Sequence, residues 1–256
     1  MQGIRGSRPV QTKREGGRRI AEPGNRKFQI TVITICYNDL KGLQLTVESV
    51  KRNLSDGLEY IIIDGASSDG SADFIQTLDF VDYWVSEPDD GIYDAMNKGA
   101  ALSRGQGLIF LNAGDYVDGS IPLGRLNVPC FLPVWYQDPL GRFRKISVKP
   151  ATRGMPNCHQ GVVFENKGLR YDSRYQIAAD FDYFLQHGYD HRLPMAPVGG
   201  RVVFDSSGVS STRLLERDRE IESIIHQYFG RWQSLRFRWR AFAKRMVKAV
   251  INGVKN

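Results

Sequence analysis

Three cysteines in 256 residues, Cys36, Cys130 and Cys158, are too few and too scattered for a disulfide scaffold or a zinc knuckle, so a reducing compartment is expected. Cys36 lies in an apolar run and reads as small core packing. No stretch reaches the roughly 18 to 20 continuous apolar residues of a membrane-crossing helix, and the polar, basic N-terminus lacks a hydrophobic signal core. The expected location is the cytosol, either free or against the inner face of the cell membrane. The chain has no G-x-G-x-x-G and no Walker lysine, which weighs against an NAD-type or P-loop protein. It also has neither G-x-S-x-G nor H-E-x-x-H, which leaves a hydrolase or zinc protease poorly supported.

What is present is an ordinary globular composition, 41% hydrophobic and 25% charged, in a chain long enough for one large α/β domain. The formal charge of +7 favours anionic partners without choosing among them. Residues 1–27 are rich in Arg, Gly, Gln and Pro without periodicity and read as a flexible leader. They offer no interleaved aromatic side chains on which nucleic-acid bases would stack, so no nucleic-acid partner is expected.

The body begins at Phe28. Phe28 to Tyr37 is β-branched and apolar, as in a strand buried on both faces. Asn38-Asp39 opens a helix to about Lys51, Glu59 to Ile63 is a second strand ending at Asp64, and a helix follows from Ser71. A short strand at Val81 to Val85, a helix from Gly91 to about Ser103 and a strand at Leu108 to Leu111 complete the first half. This alternation predicts an open, mostly parallel sheet flanked by helices. Strand-like pieces at Phe131 to Tyr136 and Phe143 to Val148 predict a mixed region, which Val162 to Phe164, a helix opening near Asp180 and a strand at Arg201 to Phe204 continue. C-terminal helices follow, interrupted at Gly230. The expected division is 28–118 and 119–212 as two halves of one domain, then 213–256 as a basic amphipathic tail.

Strand ends deliver Asn38-Asp39, Asp64 and Asp115 towards one crevice, where ligands bind in doubly wound sheets. Asp115 follows Ala113-Gly114, small residues that admit a phosphate or a metal; a plain turn is the competing reading. One carboxylate with water and diphosphate oxygens suits Mg²⁺ or Mn²⁺. Asp69-Gly70 carries turn chemistry, and His159 reads as either a packing residue or a ligand. From Arg231 to Asn256 there are eight Lys or Arg and no acid, while Trp232, Leu235, Trp239, Phe242, Met246 and Val250 recur every three or four residues. Such a helix lies on an anionic membrane surface, or packs on the body or a second subunit.

The ordered set Thr34-Ile35-Cys36-Tyr37-Asn38, Ile63-Asp64-Gly65-Ala66-Ser67-Ser68-Asp69-Gly70-Ser71, Ser86 to Gly99 and Phe110-Leu111-Asn112-Ala113-Gly114-Asp115 resembles the N-terminal half of family 2 of the inverting glycosyltransferases. The branch it resembles includes enzymes of colanic acid and related exopolysaccharide assembly. Shorter matches at Cys158-His159-Gln160, Ala179-Asp180 and Gly208-Val209-Ser210 carry the resemblance to about residue 212.

The resemblance implies a GT-A fold, a nucleotide-diphosphate sugar as donor and a polysaccharide or lipid-linked acceptor. It implies Tyr37 and Asp64 near the nucleoside, Asp69 supporting that loop, Asp90 on the nucleotide side, and Asn97 and Lys98 on the helix closing the donor site. Asp115 matches the last acid of the family's metal-binding motif, whose first acid is here Asn112; His159 is a candidate to make up the deficit. Asp180 matches the general base. Gly65 stands where many relatives carry a second acid. Trp135, Tyr136 and Tyr175 are candidate acceptor surfaces for stacking sugars. The alternatives are a nucleotidyltransferase, which normally needs a glycine-rich basic loop that Thr34 to Leu40 lacks, and a non-catalytic nucleotide- or sugar-binding scaffold at the membrane surface.

Overall fold

The computed structural model describes residues 13–21, 24, 26–137, 141–204 and 213–253, with side chains up to residue 247. The first twelve residues of the expected leader, the match at Gly208-Val209-Ser210 and the side chain of Val250 lie outside the described residues.

Among the described residues the fold is a mixed α/β structure built on a large sheet. Its centre is four parallel strands, β2 (Ile30–Cys36), β3 (Leu58–Asp64), β4 (Tyr83–Ser86) and β5 (Gly107–Phe110). Every residue of all four is buried, which is why the sequence shows continuous apolar runs there instead of alternation. Helices α2 (Leu40–Arg52), α3 (Ser71–Gln76) and α4 (Ile92–Leu102) form the crossovers. Asp39 caps α2 by accepting from the Gly42 amide at 2.9 Å.

The second half of the chain completes the same sheet. Strand β10 (Val162–Glu165) pairs antiparallel with β5, and β7 (Cys130–Phe131) pairs with β10. A smaller sheet holds β6 (Tyr116–Asp118), β11 (Arg201–Phe204), β8 (Val134–Gln137) and β9 (Phe143–Lys145) in that order. Helix α5 (Ala179–Gln186) packs Phe181, Tyr183 and Phe184 into an aromatic core with Phe110, Phe131 and Phe164. At the C-terminus α6 (Leu214–Phe229) and α7 (Arg231–Gly253) are separated at Gly230, as the sequence predicts, where φ is +80°.

The reading of residues 1–27 as flexible fails for its later part. Strand β1 (Arg14–Gly16) pairs antiparallel with β4, and α1 (Arg18–Ala21) follows. Side-chain pairing holds them: Arg18 meets the buried Asp82 at 2.8 Å, and Arg19 meets the buried Glu59 at 3.1 Å while donating to the Leu102 carbonyl at 2.8 Å. Three residues of strand carry too little periodicity to be seen in a sequence; their order comes from an acceptor edge and buried carboxylates supplied by distant segments.

Candidate active site

The carboxyl ends of β2, β3 and β4 finish level, with Cys36, Asp64 and Ser86 in register, so the loops after them share one crevice. Asp64 is fully buried and accepts from Ser67 N (3.0 Å), Ser67 Oγ (2.5 Å) and Ser86 Oγ (2.6 Å). Its carboxylate is thus spent shaping the loop. Asp69 stitches that loop to α2, accepting from the Leu40 amide at 2.8 Å and the Ser71 hydroxyl at 2.7 Å. Asn38, at φ +50°, accepts from the Ser68 amide at 2.8 Å. These bonds leave Tyr37 68% exposed on the crevice rim, an uncovered aromatic face where a base can stack. Gly65 lies beneath it: a Cβ there would lie 2.6 Å from Asp89 Oδ2 and 3.1 Å from Tyr37 Cδ2, so a larger residue would displace those side chains.

After β5, the backbone of residues 111–113 still bonds to β2, then turns at Gly114 (φ +92°) to present Asp115. Thr46 of α2 clamps the turn, its hydroxyl donating to the Asp115 carbonyl at 2.6 Å. Asp115 is 3% exposed, and its Oδ2 accepts from the Asn112 amide at 3.2 Å and Gln160 Nε2 at 2.9 Å. Beside it, Asn112 Oδ1 is buried without a hydrogen-bond partner. Buried orphan acceptors are rare because they forfeit their hydration, and a cation beside Asp115 would satisfy this one. One carboxylate and one amide oxygen form a hard, incomplete donor set, which fits Mg²⁺ or Mn²⁺ sharing its shell with water and substrate phosphates. Among the described residues no group of three His, Cys, Asp or Glu stands where it could hold a metal ion.

Asp180 lies in the first turn of α5, half-buried, with Oδ1 accepting from the Phe181 amide at 2.8 Å. Burial raises its pKa to about 6, and the negative charge of Glu220 pushes the same way. Glu220, on α6, binds the backbone leading into α5: its carboxylate accepts from the amides of Gln176, Ile177 and Ala178 at 2.9, 2.9 and 2.8 Å. Tyr93 of α4 donates to the Ile177 carbonyl at 2.7 Å from the other side. The two carboxylates Asp115 and Asp180 both act on the half-buried Cys158 thiol, whose pKa is raised by desolvation and then by their charges. Lys149 belongs to the same neighbourhood; although its side chain is exposed, partial desolvation by surrounding atoms, then Lys244 and Arg217, hold its ammonium below the usual lysine value.

Several expected site residues do other work. His159 does not turn to Asp115; it is buried, its Nε2 lies 2.6 Å from the Tyr171 hydroxyl, and its ring stacks on Phe110 at 5.1 Å. Burial pushes its pKa down to about 3, leaving a neutral packing residue. The polar contact to Asp115 comes from its neighbour Gln160. Tyr175 is 8% exposed beneath Arg174 and α6, so it offers no sugar-stacking face. Tyr136 leans on Phe204, and Trp135 carries the Arg201 guanidinium at 4.8 Å. Trp135 lines a cavity of about 380 Å³ with Asp118, Pro133, Gly200 and Arg201, at the end of β6 away from Asp115.

Asn97 makes two bonds to the Tyr171 backbone, at 2.8 and 3.1 Å, and so ties α4 to the second half. Lys98 closes the preceding loop through the Pro88 carbonyl, Asp94 and Glu87. Asp90 is exposed, whereas Asp89 is the acid turned towards Gly65. Asn112, Gln160, Asp89 and Glu220 are the site residues that sequence reasoning missed as participants. The first three sit inside recognisable motifs, next to the residues singled out. Glu220 lies in a helix with no motif.

The crevice belongs to an open α/β sheet with acids at the carboxyl ends of its strands, the place where such sheets bind ligands. Comparison with known proteins narrows the class: residues 31–121 match the model of Glycosyl transferase family 2. An uncharacterized glycosyltransferase of Mycobacterium tuberculosis is 46% identical over 93 residues, 35% of each chain, so this chain matches about a third of that relative's length. A PGL/p-HBAD biosynthesis glycosyltransferase of Mycobacterium bovis is 28% identical over 186 residues, 62% of this chain and 68% of the relative. In fold the chain is similar to S. aureus TarS 1-349 in complex with UDP, with a TM-score of 0.61 and 14% identity, covering 84% of this chain and 72% of that one. It is likewise similar to the mannosyltransferase PcManGT of Pyrobaculum calidifontis in complex with GDP-Man and Mn²⁺, with a TM-score of 0.53 and 14% identity over 78% and 64% of the two chains. The architecture is therefore that of the GT-A glycosyltransferases.

Proposed function

We propose that this protein is an inverting glycosyltransferase that moves a sugar from a nucleotide-diphosphate donor to a hydroxyl of a polysaccharide or lipid-linked acceptor, in exopolysaccharide assembly. The observation that carries the mechanism is Asp180, an acid on a helix start whose pKa burial lifts to about 6. A base in that range is ionised at neutral pH yet basic enough to take a proton from an attacking hydroxyl. Asp180 accepts the acceptor's proton as its oxygen forms the bond to the anomeric carbon. The bond to the diphosphate breaks on the opposite face, and configuration inverts.

Tyr37 offers the stacking surface for the base, while Asp64 and Asp69 hold the loops that shape that pocket. Asp115 and the Asn112 side-chain oxygen would hold the divalent ion, which when bound neutralises charge on the diphosphate. Arg217 adds positive charge beside Asp180. A scaffold that only bound nucleotide would have no use for a carboxyl group poised near neutrality.

The test is a screen of UDP- and GDP-sugars with Mn²⁺ or Mg²⁺, following metal-dependent donor hydrolysis and transfer to glycan or lipid-linked acceptors. Transfer that survives both Asp115→Ala and Asp180→Ala would sink the mechanism. Donor binding without turnover, with a competent acceptor present, would support the scaffold.

A further inference from the structure

Helix α7 has one face against the protein and the opposite face open. Ser234 and Phe237 are buried, with Ala241 and Arg245 half-buried on the same side, and Phe237 joins Ile224 and Ile225 of α6 in the core. At the margin Arg238 pairs with Glu222 and Arg245 with Asp218, both on α6. The packing alternative for this helix is therefore satisfied without its apolar stripe.

Apart from the half-buried Leu235, the described part of the stripe points outward. Trp232 is 80% exposed and Trp239 71%, and Phe242, Met246 and Val247 are at least half exposed. Trp232, Trp239 and Met246 are seven residues apart, and a seven-residue step drifts only about 20° around a helix, so they lie in one line. No acid occurs in α7, and Arg231, Arg236, Arg240 and Lys244 are exposed with no ion pair among the described residues. Two aromatic side chains with amphipathic rings, aligned with apolar neighbours and bordered by cations, match an anionic bilayer interface.

We propose that α7 is a docking helix for an anionic lipid surface, with the line from Trp232 to Met246 buried at the headgroup boundary and the arginines beside it on lipid phosphates. Charge decides against a second copy of the chain: two such helices face to face would oppose cations to cations with no acid to relieve them. Charge also gives the surface its selectivity, since neutral lipid offers the stripe apolar burial and nothing to the arginines. No helix among the described residues is long and apolar enough to cross a membrane, so α7 lies on the surface. Because α7 packs on α6, and α6 carries Glu220, the lipid plane adjoins the element that holds the Asp180 loop.

The proposal goes beyond sugar transfer, and its test uses neither donor nor acceptor. The full chain is floated with vesicles of phosphatidylcholine alone and with about 30% phosphatidylglycerol, beside the variants W232Q/W239Q/F242Q and R231Q/R236Q/R240Q. These side chains are exposed, so unchanged thermal melts will show that both variants fold. Wild type is expected to bind the anionic vesicles at least about tenfold more tightly than neutral ones, with the arginine variant losing that preference. The aromatic variant is expected to lose binding to both. Absence of wild-type binding to anionic vesicles, or equal binding by the aromatic variant, overturns the proposal. So does a lipid-free dimer that the aromatic variant abolishes, because a second copy would then own the face.

Discussion

As the proposed base, Asp180 would be inactive when protonated, so its raised pKa gives that proposal a direct kinetic signature. We expect kcat/KM to rise with pH through a limb near 6, and Asp180→Asn to lower kcat by about 10² to 10⁴ while leaving donor affinity unchanged. Stability moves the other way. The folded pKa lies above the ordinary 3.8, so the native state binds the proton more tightly than the unfolded chain, and stability falls as pH rises from about 4 through 6. Asp180→Asn should therefore melt higher than wild type at pH 8, by on the order of 2 kcal/mol, and match it at pH 4. A melt unchanged at pH 8 would mean that the carboxyl group is not desolvated. At the other pole of the site, Asn112→Asp is expected to lower the Mn²⁺ concentration for half-maximal activity by roughly tenfold, because it restores a second carboxylate. Asn112→Leu should raise it; insensitivity to both changes removes Asn112 from the metal site.

The loop entering α5 depends on an element outside the matched family segment. Glu220 gives three backbone amides their acceptor, so Glu220→Ala strands them, whereas Glu220→Gln keeps an acceptor and removes the charge facing Asp180. With the charge gone, the limb near pH 6 should move to lower pH in Glu220→Gln while KM for donor stays constant. Glu220→Ala should lose kcat as well. A pH profile identical to wild type in Glu220→Gln would reduce Glu220 to a purely structural tie. The tie was invisible beforehand because α6 presents no motif, and only packing brings its side chain to residues 176–178. Asn97 and Lys98 tell a similar story: their motif was legible, but the partners that make them braces, the Tyr171 backbone and the loop from Glu87 to Asp94, come from the fold.

The large sheet draws on both halves of the chain and on the segment before Phe28. Strand β1 and α1 cover an edge whose neighbours include the buried carboxylates Glu59 and Asp82. Glu59 also accepts from Thr31 Oγ at 2.6 Å and Arg104 N at 2.7 Å, so it keeps partners without Arg19 but loses its charge compensation. Arg19→Ala is expected to cost about 2 kcal/mol, seen as a lowered urea midpoint with an unchanged slope. A loss within about 0.5 kcal/mol would place this pair with weakly contributing surface bridges.

The parallel core was readable because β2 to β5 are buried on both faces, and solvent exclusion writes itself into composition as unbroken runs of Ile, Val and Leu. That Asp64 ends a buried strand, that Asp115 follows one and that Asp180 stands at a helix start was readable, because a motif records which residue types stand at such places. The direction in which a side chain turns was not readable. His159 and Gln160 are adjacent, yet one packs among Phe110 and Tyr171 while the other reaches Asp115, and that choice belongs to the shape of the aromatic core between β5 and α5. The same holds for α7, whose periodicity announced an apolar stripe but not which way it faced. Periodicity is a local property of one helix; exposure depends on what the rest of the chain leaves beside it, and here α6 takes the opposite side.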